Sequence, residues 1–416
     1  MPYLPNEVWN EVCRYLGNPD LASVCLTERT LSPLAARILY RSIKFTWTYR
    51  HGIHRKFIIA FSTPGHTYLG LIRYITIIKD CSDYHPEFYL FDPVAVDLTT
   101  DFLIQIFRIV IPTLIGISTE LDLFSEPFAK YFAQQRMHMN IRYLAAEIPH
   151  CGFLVDHLPS FSLLTTLRIG YICPLNVDYL IDIFRACRQT LRSLHLTFYA
   201  MGTMALEGSK VITKHIESYA TTGPVLTTLF QSLYVDVDAN LGPSPRIEEI
   251  TLVHLDVFRD LNLDWGRLFK IERFKKFQIA MNPYGETNGQ PFNNIVGQYV
   301  SRMRNLTTLR LDRVFSTKQL NATLKKIVAL QHLHICLLGN IRLPSASALR
   351  QHKSSLKYLW ISHLLNLNDG FDELYTEDDE PVTATDIRDC CNLEQLAISF
   401  GPPVGLLVLP VVSISG

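Results

Sequence analysis

The chain has 416 residues, with 39 Lys and Arg set against 39 Asp and Glu, so its formal net charge is zero. That length exceeds one ordinary domain, and a 48% hydrophobic content supports a large core, which excludes general disorder. Neutrality removes any overall drive towards nucleic acid or an anionic membrane, and nine cysteines without zinc-like pairing predict reduced thiols, in cytoplasm or nucleus.

The first predicted element is a short amphipathic helix opened by Leu4-Pro5. Pro5 suits a first turn, where its missing N–H is no loss, and Glu7 sits where the helix dipole favours a negative charge. Val8, Val12 and Leu16 recur four apart and make one apolar stripe beside Trp9. Gly17-Asn18-Pro19 is expected to stop this helix. Asp20 is expected to cap a second one carrying Leu21, Val24 and Cys25. Ser32-Pro33 then reads as a cap and first helical position for a third, with Leu34, Ile38 and Leu39 on its apolar face. A bundle this small cannot bury so much apolar surface alone, so some of it meets a partner or caps the rest of the chain.

These residues resemble the F-box family: Leu4, Pro5, Glu7, Val8, Trp9, Val12, Leu16, Asp20, Leu21, Val24, Cys25, Leu26 and Leu39. Many members carry a Trp a few residues after the Val-Cys pair. Here that stretch is Thr27 to Ser32, with Leu31 as the substitute. The resemblance implies a trihelical module over residues 1–45 that binds the Skp-type adaptor and, through it, the cullin of an SCF ubiquitin ligase. The implied docking set is Leu4, Pro5, Val8, Trp9, Val12, Leu16, Leu21 and Val24.

Residues 46–160 are aromatic-rich and match the downstream repeat poorly, which predicts degenerate N-terminal repeats or a cap. From 161 onwards an L-x-x-L-x-L pattern recurs. Its clear copies are Leu164-Leu167-Ile169, Leu191-Leu194-Leu196, Ile247-Ile250-Leu252 and Phe274-Phe277-Ile279, then Leu306-Leu309-Leu311, Leu330-Leu333-Ile335, Leu356-Leu359-Ile361 and Leu393-Leu396-Ile398. Ile72-Ile75-Ile77, Ile141-Leu144 and Phe230-Leu233-Val235 are weaker copies. The spacing is irregular, near or above the leucine-rich range of about 20–29 residues. Helical patterns intervene at 177–187, 293–303, 317–328 and 346–352.

The expected fold is therefore α/β: the small trihelical F-box, then an irregular leucine-rich-repeat solenoid, a horseshoe of parallel strands and helices. An ordinary buried parallel sheet would need near-continuous apolar runs, whereas these copies interleave polar residues at fixed offsets. Leucine-rich repeats after an F-box are a familiar arrangement of that family, and the two resemblances support each other.

In such strands the residues flanking the fifth position of each copy share the concave side. The fifth-position ladder is Arg168, His195, Thr251, Gln278, Arg310, His334, Trp360 and Ala397. The third-position ladder is Thr166, Ser193, Glu249, Lys276, Thr308, His332, Tyr358 and Gln395. His332, His334, Tyr358 and Trp360, with Arg310 and Asp312 beside them, form the candidate substrate-binding patch, since aromatics and Arg dominate binding hot spots.

Other signals point elsewhere. His332-x-His334 shares a strand face, but no carboxylate or Cys stands at metal-ligand spacing, so the pair reads as solvated or ligand-facing. Phosphate-loop, dinucleotide and nucleophile-elbow motifs are all absent. Cys390-Cys391 reads as packing. The basic clusters Arg50, His51, His54, Arg55, Lys56 and Lys270, Arg273, Lys275, Lys276 read as solvated faces. Residues 369–380 form an acidic loop between the last two repeats. No stretch is apolar for long enough to span a bilayer, 102–117 being interrupted by Gln105, Arg108 and Pro112. The apolar tail, Val404 to Ile414, either folds back over the last repeat or belongs to an incomplete chain.

The expected function follows: a non-catalytic substrate receptor with no cofactor and no metal, docking the adaptor at one end and an unidentified protein substrate on the repeat face. A scaffold outside any ligase is the alternative. An enzyme of unrecognised class is disfavoured, because no convergent nucleophile and base are visible.

Overall fold

A computed structural model supplies the structure of the chain. It describes residues 5–48, 52–53, 57, 59, 61, 68–80, 103–108, 113–122, 140–147, 161–172, 177–198, 246–255, 269–281, 297–314, 316–338, 343–364, 387–399 and 408–410. The chain divides into two compact units, residues 1–169 and 170–416.

The first unit opens with three short helices, α1 (Asn6–Arg14), α2 (Asn18–Thr27) and α3 (Ser32–Leu39). Their boundaries differ from the sequence expectation in three places. Pro5 is the N-cap rather than a helical residue: its ψ of 150° is extended, and its carbonyl accepts the N–H groups of Val8 and Trp9 at 3.0 and 3.2 Å. Asn18-Pro19 does not follow a stop but starts α2, because Pro is preorganised for a first turn. Gly17 is the N-cap there, and Asp20 supplies charge to the first turn instead of a capping bond. Ser32 is already helical, its N–H donating to the Glu28 carbonyl at 2.9 Å, which shifts the cap position to Leu31.

Cys13, Leu21 and Ala35 form the centre of this bundle, with Leu16, Val24, Cys25, Ile38 and Leu39 packed around them.

The sheet of the first unit holds β1 (Ser42–Thr48), β2 (Gly52–Ile53), β3 (Tyr74–Asp80), β4 (Gly116–Asp122) and β5 (Tyr143–Glu147). β1, β3, β4 and β5 run parallel in chain order, while β2 pairs antiparallel with the outer side of β1. Alternation sends Phe45, Trp47, Ile75, Ile77, Ile117, Thr119, Leu144 and Ala146 into the core. A buried aliphatic residue lies three positions before Ile75, Ile117 and Leu144, at Ile72, Leu114 and Ile141. Consecutive turns are tied by one carbonyl each. Arg41 accepts from Arg73 and Tyr74, Arg73 from Ile115 and Gly116, Ile115 from Arg142 and Tyr143, and Arg142 from Thr165 and Thr166.

Gly116 lies in register between Tyr74 and Tyr143, and a Cβ there would sit 2.6 Å from Tyr74 Cδ1 and 3.1 Å from Tyr143 Cβ. Gly116→Ala is therefore expected to displace the Tyr74 ring and to destabilise the chain by about 1–3 kcal/mol. A thermal melt that leaves Tm unchanged would refute this packing.

Strand β6 (Thr166–Ile172) runs across the boundary between the units. The second unit continues with β7 (Ser193–Phe198), β8 (Glu249–Leu255), β9 (Lys276–Met281), β10 (Thr308–Val314), β11 (His332–Leu338), β12 (Tyr358–Leu364) and β13 (Gln395–Ser399). From β7 to β13 every strand is parallel to the next one in the chain. This is an α/β parallel sheet whose order follows the sequence, without the reversal of a doubly wound fold. Such an advance, one strand per turn, is compatible with an open solenoid. A last strand, β14 (Val408–Pro410), pairs antiparallel with β13, so residues 408–410 of the apolar tail do fold back along the final rung.

The predicted leucine positions are the core of this unit. Leu191, Leu194, Leu196, Ile247, Ile250, Leu252, Phe274, Phe277, Ile279, Leu306, Leu309, Leu311, Leu330, Leu333, Ile335, Leu356, Leu359 and Ile361 are all buried. Leu393, Leu396 and Ile398 of the last copy are only half-buried. The Phe230 copy lies outside the described residues.

Helices return the chain between strands. α4 (Val177–Cys187) has the predicted bounds and buries Leu180, Ile183, Phe184 and Cys187. α5 (Thr317–Leu324) and α6 (Ala346–Arg350) are shorter than their patterns, and 293–303 is described as helical residues 297–298 followed by a 3-10 turn, Val300–Arg302. Ser316 starts α5, its hydroxyl accepting from the Gln319 N–H at 3.4 Å.

Buried polar groups tie these returning segments together. His352 is fully buried: Nδ1 accepts the Leu330 N–H at 3.3 Å and Nε2 donates to the Leu324 carbonyl at 3.1 Å. Asn321 Oδ1 accepts the Ser345 N–H at 2.8 Å, and the Ser355 hydroxyl donates to the Leu330 carbonyl at 2.8 Å.

Candidate functional site

The six residues of the predicted patch lie on three neighbouring strands, β10, β11 and β12, and face one side. Thr308, His332 and Tyr358 are in register with one another, as are Arg310, His334 and Trp360. Each strand buries its leucines on the other side, so this alternation leaves the polar and aromatic positions outward. His332 stacks on Tyr358 with ring centroids 4.4 Å apart, and His334 stacks on Trp360 at 5.2 Å. The two parallel stacks form a flat platform, two rungs deep and half-buried.

Arg310 closes one edge of it. Its Nε and Nη2 donate to the two carboxylate oxygens of Asp312 at 3.2 and 3.1 Å, a fork that holds the guanidinium flat to the strand. Just beyond, the register slips at Arg313, whose φ of 64° is in the left-handed region, and this bulge ends the outward row at Asp312. Tyr358 closes the opposite edge, its hydroxyl donating to Glu394 at 2.8 Å, with Lys357 3.4 Å from the same carboxylate.

Both histidines are held below their ordinary range. Burial is the main cause for His334, with Arg310 opposing its charge and Asp312 partly restoring it. Burial also leads for His332, followed by the Lys357 charge. The imidazoles are therefore neutral at neutral pH, and the platform is an uncharged aromatic surface rimmed by an ion pair on one side and a Lys–Glu pair on the other. That chemistry suits a protein segment carrying an apolar or aromatic anchor.

A second charged feature runs along the residues that precede each strand. Arg192 and Lys275 flank Glu248 at 3.0 and 2.7 Å, and their bonds, that of Lys275 foremost, hold the Glu248 carboxyl below the usual carboxylate range. Of the second basic cluster, Lys275 is thus paired, and Lys270 and Arg273 are exposed. The first basic cluster and the 369–380 loop lie outside the described residues.

The docking set divides by exposure. Val8 and Val12 are 42% and 41% exposed, Pro5 is exposed and Trp9 half-buried. Leu21, Leu16 and Val24 face inward: Leu21 is buried in the bundle centre and the other two pack against it. They hold the module together rather than offering a surface. Leu4 lies outside the described residues. Two outward residues were not in the predicted set, Tyr15 at 84% and Leu26 at 88% exposure. Leu26 follows the inward pair Val24 and Cys25, so helical phase was the available signal.

Among the described residues no group of three or more His, Cys, Asp or Glu is placed to hold a metal ion, and no helix is long and apolar enough to cross a membrane. Their cysteines are free thiols, and burial pushes that of Cys187 up to about 12. Compared with protein-family models and with curated proteins, the chain matches none.

Proposed function

We propose that the chain is the substrate receptor of an SCF-type ubiquitin ligase, an F-box followed by a leucine-rich-repeat horseshoe. The observation that carries this reading is the divided N-terminal bundle. Three short helices satisfy their own core with Cys13, Leu21 and Ala35 yet leave Val8, Val12, Tyr15 and Leu26 outward. An apolar surface of this kind, on a module too small to be an enzyme, fits a handle for the Skp-type adaptor. The Arg310, Asp312, His332, His334, Tyr358 and Trp360 platform is the substrate face in this reading. The protein works by proximity, holding a partner at high effective concentration beside a ubiquitin-conjugating enzyme recruited through the cullin. It needs no cofactor and acts in cytoplasm or nucleus.

Co-purification of the full chain with the Skp adaptor tests it. Val8→Asp with Val12→Asp is expected to reduce adaptor capture by about tenfold or more, since two charges would be buried unpaired in the interface. Because both side chains are already partly exposed, the melting temperature should hardly move. Undiminished capture by the folded double variant would overturn the docking assignment. Ubiquitin transfer to a bound partner in reconstituted ligase separates a receptor from a scaffold.

A further inference from the structure

Among the described residues, the row preceding the strands carries paired charges in the second unit and arginines without a carboxylate partner in the first. In the second unit its cations meet carboxylates of the same row on a neighbouring rung: Arg192 and Lys275 on Glu248, Lys357 on Glu394. In the first unit the same row holds Arg41, Arg73 and Arg142, before β1, β3 and β5. Among the described residues no carboxylate pairs with any of them, nor with the exposed Lys44 and Arg168 of the adjoining strands. The strands' own acidic residues, Asp80, Glu120, Asp122 and Glu147, fall in their last three positions, at the far end from the arginines.

These guanidinium groups are placed by neighbours other than acids. Arg41 lies over the Tyr74 ring at 5.8 Å and Arg168 over the Tyr143 ring at 5.9 Å. Arg73 donates to the Gly70 and Ile72 carbonyls at 3.0 and 3.1 Å. Between the two tyrosines stands Gly116, so close to the Tyr74 ring that a Cβ would meet it. The Tyr74 ring is thus engaged by Gly116 and Arg41 and the Tyr143 ring by Arg168, which leaves less ring for stacking a base and directs recognition to the cations. Arg41 and Arg142 are three strand steps apart, about 14 Å, the reach of roughly four extended residues.

We propose that this row is a second binding surface, which takes an acidic segment of a partner protein, a short extended run rich in Asp and Glu whose carboxylates engage Arg41, Arg142 and Arg168. A row of arginines without carboxylate partners ahead of the strands distinguishes the first unit among the described residues, and the surface does not depend on adaptor docking or on the His–Tyr and His–Trp platform.

The test uses the full chain and a fluorescent peptide of alternating Glu and Ser, read by anisotropy. Wild type should bind it, more weakly as salt rises. Arg142→Glu with Arg168→Glu should weaken binding by about tenfold or more, because charge-assisted bonds are lost and replaced by repulsion. Arg304→Glu with Lys353→Glu, which makes the same change in net charge at exposed positions of the second unit, should change it less than about twofold. If the reversed pair misfolds, Arg142→Gln with Arg168→Gln, checked by circular dichroism, gives the same comparison. Equal weakening by both pairs, no weakening by either, or no binding by wild type would overturn the proposal. So would tighter binding of an oligothymidylate with the same dependence on Arg142 and Arg168, which would mark a nucleic-acid surface instead.

Discussion

Phe277→Ala is expected to lower the unfolding free energy by about 3–5 kcal/mol. Phe277 has no exposed surface and sits in the middle of the ladder, in register with Ile250 on one side and Leu309 on the other. Its ring also meets Phe274, with centroids 6.2 Å apart. Truncation removes the transfer energy of the ring and leaves a cavity walled by strands on both sides, which cannot collapse far. The internal control is Leu396→Ala in β13. It occupies the same place in the repeat but is half-buried, so about 1–2 kcal/mol is expected. Urea denaturation of both variants checks the pair. Because a stack is held by neighbouring rungs, Phe277→Ala should also lower the m-value or split the transition. Equal costs at the two positions would contradict the burial gradient along the array.

His352→Ala should cost about 3–5 kcal/mol, for a different reason. The ring satisfies two backbone groups of the preceding turn, the Leu330 N–H and the Leu324 carbonyl, and truncation strands both in a dry interior besides opening a cavity. The same bonds require the neutral ring, with the proton on Nε2. Burial holds His352 below its ordinary value of 6.5, the Leu324 bond offsetting this only in part. The sign follows from linkage. Below about pH 6.5 the unfolded chain takes up a proton that the folded chain resists, so stability falls with pH in that window and levels off once the folded pKa is passed. His332 and His334 are lowered as well and contribute in the same direction. His352→Gln, which keeps a donor and an acceptor, should therefore reduce the pH slope without abolishing it. Denaturation midpoints at pH 7.5 and 5.5 measure this, and an unchanged slope would place the proton linkage elsewhere.

Much of the repeat architecture was legible because its signal is periodic and apolar. L-x-x-L-x-L places a branched residue where each strand meets the core, and Leu309, Leu333 and Leu359 are buried as that spacing requires. Register follows from the same pattern, which sets His332, His334, Tyr358 and Trp360 on one face. Helix caps were less legible. Asp20 and Ser32 have capping chemistry, but the cap position is decided by where the chain becomes extended, at Gly17, or is already hydrogen-bonded, at Ser32. The rung at Leu114, Ile117 and Thr119 was hidden because a threonine fills the third apolar place. The inward turn of Leu21, Leu16 and Val24 depends on α3, whose contacts no local pattern contains. His352 gave no signal at all, since its partners are main-chain groups more than twenty residues away.

The two short strands that run against the rest bear on how the protein behaves at high concentration. β2 lies on the outer side of β1 and β14 on that of β13, each antiparallel. A stack of parallel rungs is intrinsically extensible: any uncovered edge is a template on which another copy's strand can add, and repetition of that step builds a fibril. Each reversed strand occupies outward hydrogen-bonding groups of the rung it pairs with, and Pro410, at the end of β14, has no amide to offer a further strand. Short covering strands with a proline at one end leave little regular edge for another copy to extend, a feature that disfavours polymerisation of a sheet built by repetition.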